Sequence, residues 1–129
     1  MALSSVGGGY QFTDGNVSEA ALIVQGTPAT ATAAATLTVA QLLSGLVVCS
    51  STPGTQTLPT VALLEATLTN NKVDSGFEVS FVNTAASTLT IAVGTGWTLV
   101  GTVTALTLTS ALFRARKTGD GAWTLYRIA

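Results

Sequence analysis

Between Val73 and Gly101 the chain alternates apolar with small polar residues, interrupted by glycine and asparagine. Phe77, Val79 and Phe81 fall on one side of the first run and Glu78, Ser80 and Val82 on the other, the period of a strand with one face in a core. Asn83 to Ser87 supplies turn residues. Leu89, Ile91 and Val93 then alternate with Thr88, Thr90 and Ala92, and Gly94-Thr95-Gly96 breaks the chain before Trp97 to Val100. No helical period fits this region, so it predicts three successive strands.

Upstream, Ala20 to Gly26 (AALIVQG) reads as a strand. Ala29 to Leu37 alternates alanine with threonine, small side chains on both faces that suit the close approach of a neighbouring sheet or subunit. Thr38-Val-Ala-Gln41 matches a capping box, Leu42 and Leu43 follow, and Gly45 stands where a helix terminator with positive φ belongs, so a short helix ends at Ser44. Leu46 to Ser51 and Thr55 to Leu58 are strands around the turn Ser51-Thr-Pro-Gly54. Pro59 to Leu68 is the second helix, capped by Thr60, with Val61, Leu64 and Leu68 on one stripe. It ends at Asn70-Asn71-Lys72.

Thr102 to Thr109 alternates again, with a change of parity that predicts a bend near Ala105. Ala111 to Lys117, the turn Gly119-Asp120-Gly121 and Ala122 to Ile128 form a hairpin signature. A loop of two or four residues places Phe113, Ala115, Tyr126 and Ile128 on one face and Arg114, Arg116, Trp123 and Leu125 on the other; a three-residue loop swaps that pairing. Residues 1–19 carry Gly7-Gly8-Gly9, Asp14-Gly15-Asn16 and few apolar side chains, which predicts an extended N-terminal arm. Short strands at turn-punctuated intervals predict an all-β domain over residues 20–129, a single antiparallel β-sandwich or barrel of jelly-roll type with two short helices.

Composition changes what such a domain must do. Charged residues are 9% of the 129, mean hydropathy is +0.54 and the net charge is −1. Few charges on a small domain near neutrality promote association, which burial in an oligomer or on a larger assembly relieves. Without a basic stripe the chain is not a nucleic-acid module. Apolar runs such as Ala20 to Val24 are too short to span a membrane as a helix, and MALSSVGGGY lacks the features of a secretory signal. Cys49, the single cysteine, lies among Leu46, Val47 and Val48 and reads as a buried, inert thiol.

Candidate chemistry is sparse. There is no histidine, which removes the usual general base and the commonest zinc ligand. One cysteine makes no metal cluster. Of the six carboxylates, Asp14, Asp74 and Asp120 sit beside glycine or serine in turns, where aspartate bonds local backbone. We therefore expect no enzyme, no catalytic or metal-binding residue and no cofactor. Binding candidates are Tyr10 and Phe12, two apart on the arm and able to point the same way onto a partner, and Arg114 and Arg116 on one face of the last hairpin. That hairpin holds four of the five cations, where an arginine beside Trp123 can stack.

The succession LTVAQLLSGLVV, TLPTVALLEA, FEVSFVN, TLTIAVGTGWTLVG and FRARKTGDGAWTLYRI, with the arm GGGYQFTDGN, resembles the small virion proteins that decorate the heads of tailed bacteriophages; similar blocks occur in phage fibre proteins. The resemblance implies a capsid decoration or cement protein, a homotrimer on the outer surface of the head that binds the major capsid protein and is made in the host cytoplasm. It implies no nucleic-acid or membrane partner. The alternative is a trimeric fibre or receptor-binding module that contacts glycans through aromatics such as Trp97 or Trp123.

Overall fold

The computed structural model describes residues 22–50 and 54–129. Their strands are β1 (Ala29–Ala31), β2 (Ala35–Thr36), β3 (Leu46–Cys49), β4 (Thr55–Thr57), β5 (Gly76–Asn83), β6 (Leu89–Ala92), β7 (Trp97–Val100), β8 (Thr104–Ala105), β9 (Ser110–Gly119) and β10 (Ala122–Arg127), with helices α1 (Val39–Leu43) and α2 (Val61–Thr67). A six-stranded sheet has the order β1-β3-β5-β9-β10-β7, and a four-stranded sheet the order β2-β4-β6-β8.

Up to β8, consecutive strands alternate between the two sheets. β1, β3 and β5 run parallel, with Ala29 beside Val47 and Val47 beside Phe81. β2, β4 and β6 are also parallel, with Ala35 beside Gln56 and Gln56 beside Ile91. The chain therefore winds as a coil, crossing from the large sheet to the small one through short corners and returning through α1 or α2. The far side is antiparallel: β9 pairs with β5 and with β10, and β8 with β6. β7 closes the large sheet parallel to β10.

This corrects the expectation of a single antiparallel sandwich of jelly-roll type. The sheets are mixed, because period-two alternation states which face a side chain takes but not which strand lies alongside. The turn after β5 illustrates the difference. Asn83 is buried at the end of β5, its Nδ2 donating to the carbonyls of Ser87 (2.7 Å), Ala105 (3.1 Å) and Leu106 (3.2 Å) while Oδ1 accepts from Ala85 N–H (3.1 Å). These bonds turn the chain out of one sheet and into the other, where hairpin residues would have folded it back. Successive corners also bond to each other, Ser50 N–H to Ala31 O at 3.0 Å and Thr84 N–H to Cys49 O at 2.9 Å.

Both helices follow from their caps. Gln41 N–H donates to Thr38 Oγ1 at 3.1 Å and Thr38 N–H to Gln41 Oε1 at 2.9 Å, and Gly45 ends the turn at φ +79°. Thr60 caps α2, whose start packs tightly on the turn before β7. A side chain at Gly96 (φ +98°) would lie 2.7 Å from Val61 Cβ, so only glycine lets helix and turn meet. The inner faces of both sheets share a core that includes Val47, Val79, Phe81, Ile91, Phe113 and Leu125. Phe81 and Phe113 meet edge to face at 5.9 Å. Each such side chain stabilises by about 1.5–3 kcal/mol, and Phe81→Ala would cost about 3–5 kcal/mol.

Two strand expectations contract. Residues 22–26 of the candidate Ala20–Gly26 take no regular secondary structure and join no ladder, and the Thr102–Thr109 run narrows to β8. The N-terminal arm lies outside the described residues.

Candidate interaction surface

The last hairpin carries the basic candidates. Trp123 lies opposite Lys117, Leu125 opposite Ala115 and Tyr126 opposite Arg114, with a bulge between Ala122 and Trp123. The bulge supplies the extra residue that swaps the pairing expected for an even loop. Phe113, Ala115, Trp123 and Leu125 thus point inward, while Arg114, Arg116 and Tyr126 share the outer face. The expected arginine–Trp123 stacking gives way to Arg127 over Phe113, 5.5 Å from the ring centre.

Arg114 and Arg116 are together on the outer face, as their spacing predicts, and each has an acid beside it. Arg116 Nη2 approaches Asp74 Oδ1 at 2.6 Å, and its Nε donates to the same oxygen at 3.0 Å. Arg114 Nη2 lies 3.6 Å from Glu78 Oε1. Hydrogen bonding to Asp74 and Tyr126 holds the Arg116 guanidinium in its charged form. The outer face is therefore locally neutralised, which gives it little pull on a distant acidic partner. Tyr10 and Phe12 lie outside the described residues, so the structure does not bring them together with the hairpin.

A cluster that sequence reasoning missed lies between α2 and the hairpin turn. Lys117 is buried, its Nζ 3.1 Å from Glu65 Oε1 and 3.5 Å from Asp120 Oδ1, and it donates to Asn71 Oδ1. Glu65 Oε1 also accepts from Trp123 Nε1 at 3.1 Å and Gly121 N–H at 3.3 Å. Partial desolvation opposes the charge on Glu65, but the hydrogen bonds from Lys117, Trp123 and Gly121, with the Lys117 charge, outweigh it and hold the carboxyl below its ordinary range. The one available signal was Glu65 at the foot of an amphipathic helix, and its partner is distant in sequence. Every member has a neighbour within the chain, so the cluster is a tie between helix and hairpin.

Trp97 and Trp123 are core residues, the former donating from Nε1 to Pro59 O at 2.8 Å. Neither offers an open ring to a sugar. Burial pushes the Cys49 thiol up to about 11, which leaves little thiolate for nucleophilic chemistry at neutral pH. Among the described residues no group of acidic, cysteine or histidine side chains could hold a metal ion, and no helix is long and apolar enough to cross a membrane.

The surface is more distinctive for its apolar features. Leu22 and Ile23 are 88% and 87% exposed, and Val24 is wholly so. A cleft of about 550 Å³ opens where β2 and β4 run out toward the helices, lined by Leu37, Val39, Leu58, Pro59, Leu63 and several threonines. No charged residue lines it.

Comparison with family models, curated proteins and solved structures finds no match. These comparisons give no support to the expected likeness to phage decoration proteins.

Proposed function

We propose that this chain is a structural virion protein, a capsid decoration or cement protein that binds the outside of a phage head as a homotrimer. The observation that carries the reading is a charge-poor domain holding an apolar segment, Leu22 to Val24, in the open. Such a surface suits permanent residence in an assembly. The block-by-block resemblance supplies the type of assembly. A cement protein acts by binding the assembled lattice better than free capsid subunits, so expansion of the shell must also break the added contacts. Three linked copies add avidity. No catalytic group is required.

Tyr10 and Phe12 are the proposed capsid anchors, with Arg114 and Arg116 on a second contact. Deleting residues 1–12 should abolish binding to stripped capsids and leave the β domain folded; undiminished binding would overturn that assignment. Imaging of intact particles tests the function itself, which requires many copies over the head.

A fibre module is the second reading, favoured by the parallel coil. β1 and β2 are edge strands at its N-terminal end, where further turns of a shaft would stack. A few copies confined to the tail or one vertex would select it. Glycan contact through Trp97 or Trp123 is not part of it, since both rings are in the core.

A further inference from the structure

We propose that Lys117 and Asn71 join in an internal amide cross-link, Lys117 Nζ displacing the side-chain nitrogen of Asn71 with Glu65 as the proton carrier. The three groups come from three places in the chain: Glu65 from α2, Asn71 from the loop between α2 and β5, and Lys117 from β9. Lys117 is buried, and its Nζ donates to Asn71 Oδ1 and lies 3.1 Å from Glu65 Oε1. A carbonyl oxygen is about 1.2 Å from its carbon, so an amine in contact with Oδ1 is already close to attack distance from Cγ.

A salt bridge alone needs no amide at the lysine. Here the amide is held on both sides, Oδ1 by Lys117 and Nδ2 by Leu68 O. Glu65 Oε1 is likewise fixed, accepting from Trp123 Nε1 at 3.1 Å and from Gly121 N–H at 3.3 Å while it faces Nζ. Asp120, the other acid near Nζ, is 3.5 Å away and its side chain is fully exposed, so Glu65 is the better-placed base. The Lys117 side chain is only 7% exposed, which keeps hydration from the amine.

The reaction balances without an oxidant or a cofactor. The Lys117 ammonium gives a proton to Glu65, and the free amine adds to Asn71 Cγ to form the Nζ–Cγ bond. The Cγ–Nδ2 bond then breaks, and Nδ2 leaves as ammonia with a proton that Nζ passes on through Glu65. The proton first taken by Glu65 departs with it as ammonium. One secondary amide and one ammonium ion thus replace a primary amide and a lysine ammonium. Leu68 and Asn71 both line a cavity of about 370 Å³, which gives the ammonia a way out. Its escape makes the step irreversible, and the product removes a buried charge that is costly to keep. The contacts that hold Glu65 ionised make it a weak base and the reaction slow, which a step performed once per chain tolerates. The bond would fasten the end of the β5–β9 ladder, beside the pair Gly76 and Arg116. It does not rest on the capsid reading.

The test is the intact mass of the purified full chain under denaturing conditions, followed through days of incubation at neutral pH. Wild type should become lighter by one ammonia, about 17 Da. Trypsin should then release a branched product that joins the peptide ending at Lys72 to residues 117–127, because the modified Lys117 is no longer cut. Lys117→Arg, which keeps the charge and lacks the amine, and Asn71→Ala should hold their full mass. Glu65→Gln should cross-link about a hundredfold more slowly or not at all, with far-ultraviolet spectra confirming that it is folded. Wild type that keeps its full mass would overturn the proposal whatever the variants do. So would a branched peptide at other residues, or a folded Glu65→Gln that cross-links at the wild-type rate.

Discussion

Glu65 Oε1 accepts the indole N–H of Trp123 at 3.1 Å, joining a helix that returns the chain from the small sheet to a strand near the edge of the large one. Because the same oxygen faces Lys117, the tie works only while Glu65 is ionised. Its folded pKa lies below the ordinary 4.5, so its stabilisation is fully present above 4.5 and is lost as pH falls through the lower folded value. Unfolding midpoints measured from pH 7 to pH 3 should drop at the acid end, and Glu65→Gln should flatten that part of the curve. Equal acid sensitivity in the variant would show that other carboxylates set the profile.

Asn83 should be the least replaceable polar residue of the described core. Asn83→Leu leaves the carbonyls of Ser87, Ala105 and Leu106 without their donor and Ala85 N–H without its acceptor. Urea denaturation should show a loss of about 2–4 kcal/mol, with the corner between β5 and β6 the first to lose hydrogen-exchange protection.

Leu108 carries a left-handed backbone, φ 56°, and is exposed. A leucine there bears a steric cost of about 1–2 kcal/mol that glycine avoids, partly offset by the freedom glycine gains when unfolded. Leu108→Gly should therefore raise stability by up to about 1 kcal/mol in thermal unfolding. A lower midpoint would mean that the side chain makes contacts worth more than the strain.

Cys49 should react slowly with a thiol reagent in the native state. A shift from 9.0 to about 11 reduces the thiolate roughly a hundredfold at pH 8, before burial limits access. Reaction in denaturant should be faster by at least about that factor, and equal rates would place the thiol at the surface.

Local features of the fold were legible in the sequence and the partnerships were not. The capping box at Thr38 and Gln41 and the cap at Thr60 appear as read, because each involves groups three residues apart. Phe77, Val79 and Phe81 take the inner side of β5 as their spacing required. Strand pairing was misread because Asn83 to Ser87 resembles a hairpin turn by composition, whereas its bonds reach Ala105 and Leu106, far along the chain. The hairpin register turned on one bulged residue, which no periodicity marks. Of the candidate site, Arg114 and Arg116 were rightly placed on one face, but Asp74 and Glu78 lie on a distant strand and its approach, out of reach of spacing arguments. The exposed Leu22–Val24 was read as a strand because side-chain type reports a preference for a ladder, not the presence of a partner.

The position of β9 in the middle of the large sheet has a consequence for synthesis. Its pairing with β5 joins the parallel coil to the closing hairpin, yet it is synthesised after every strand of that coil. Until it arrives, the coil lacks the strand that flanks β5 on the side away from β3, and the ladders already made span long loops whose closure is slow. The domain should therefore fold all at once when β9 becomes available, and chains cut short before Ser110 should remain open to protease.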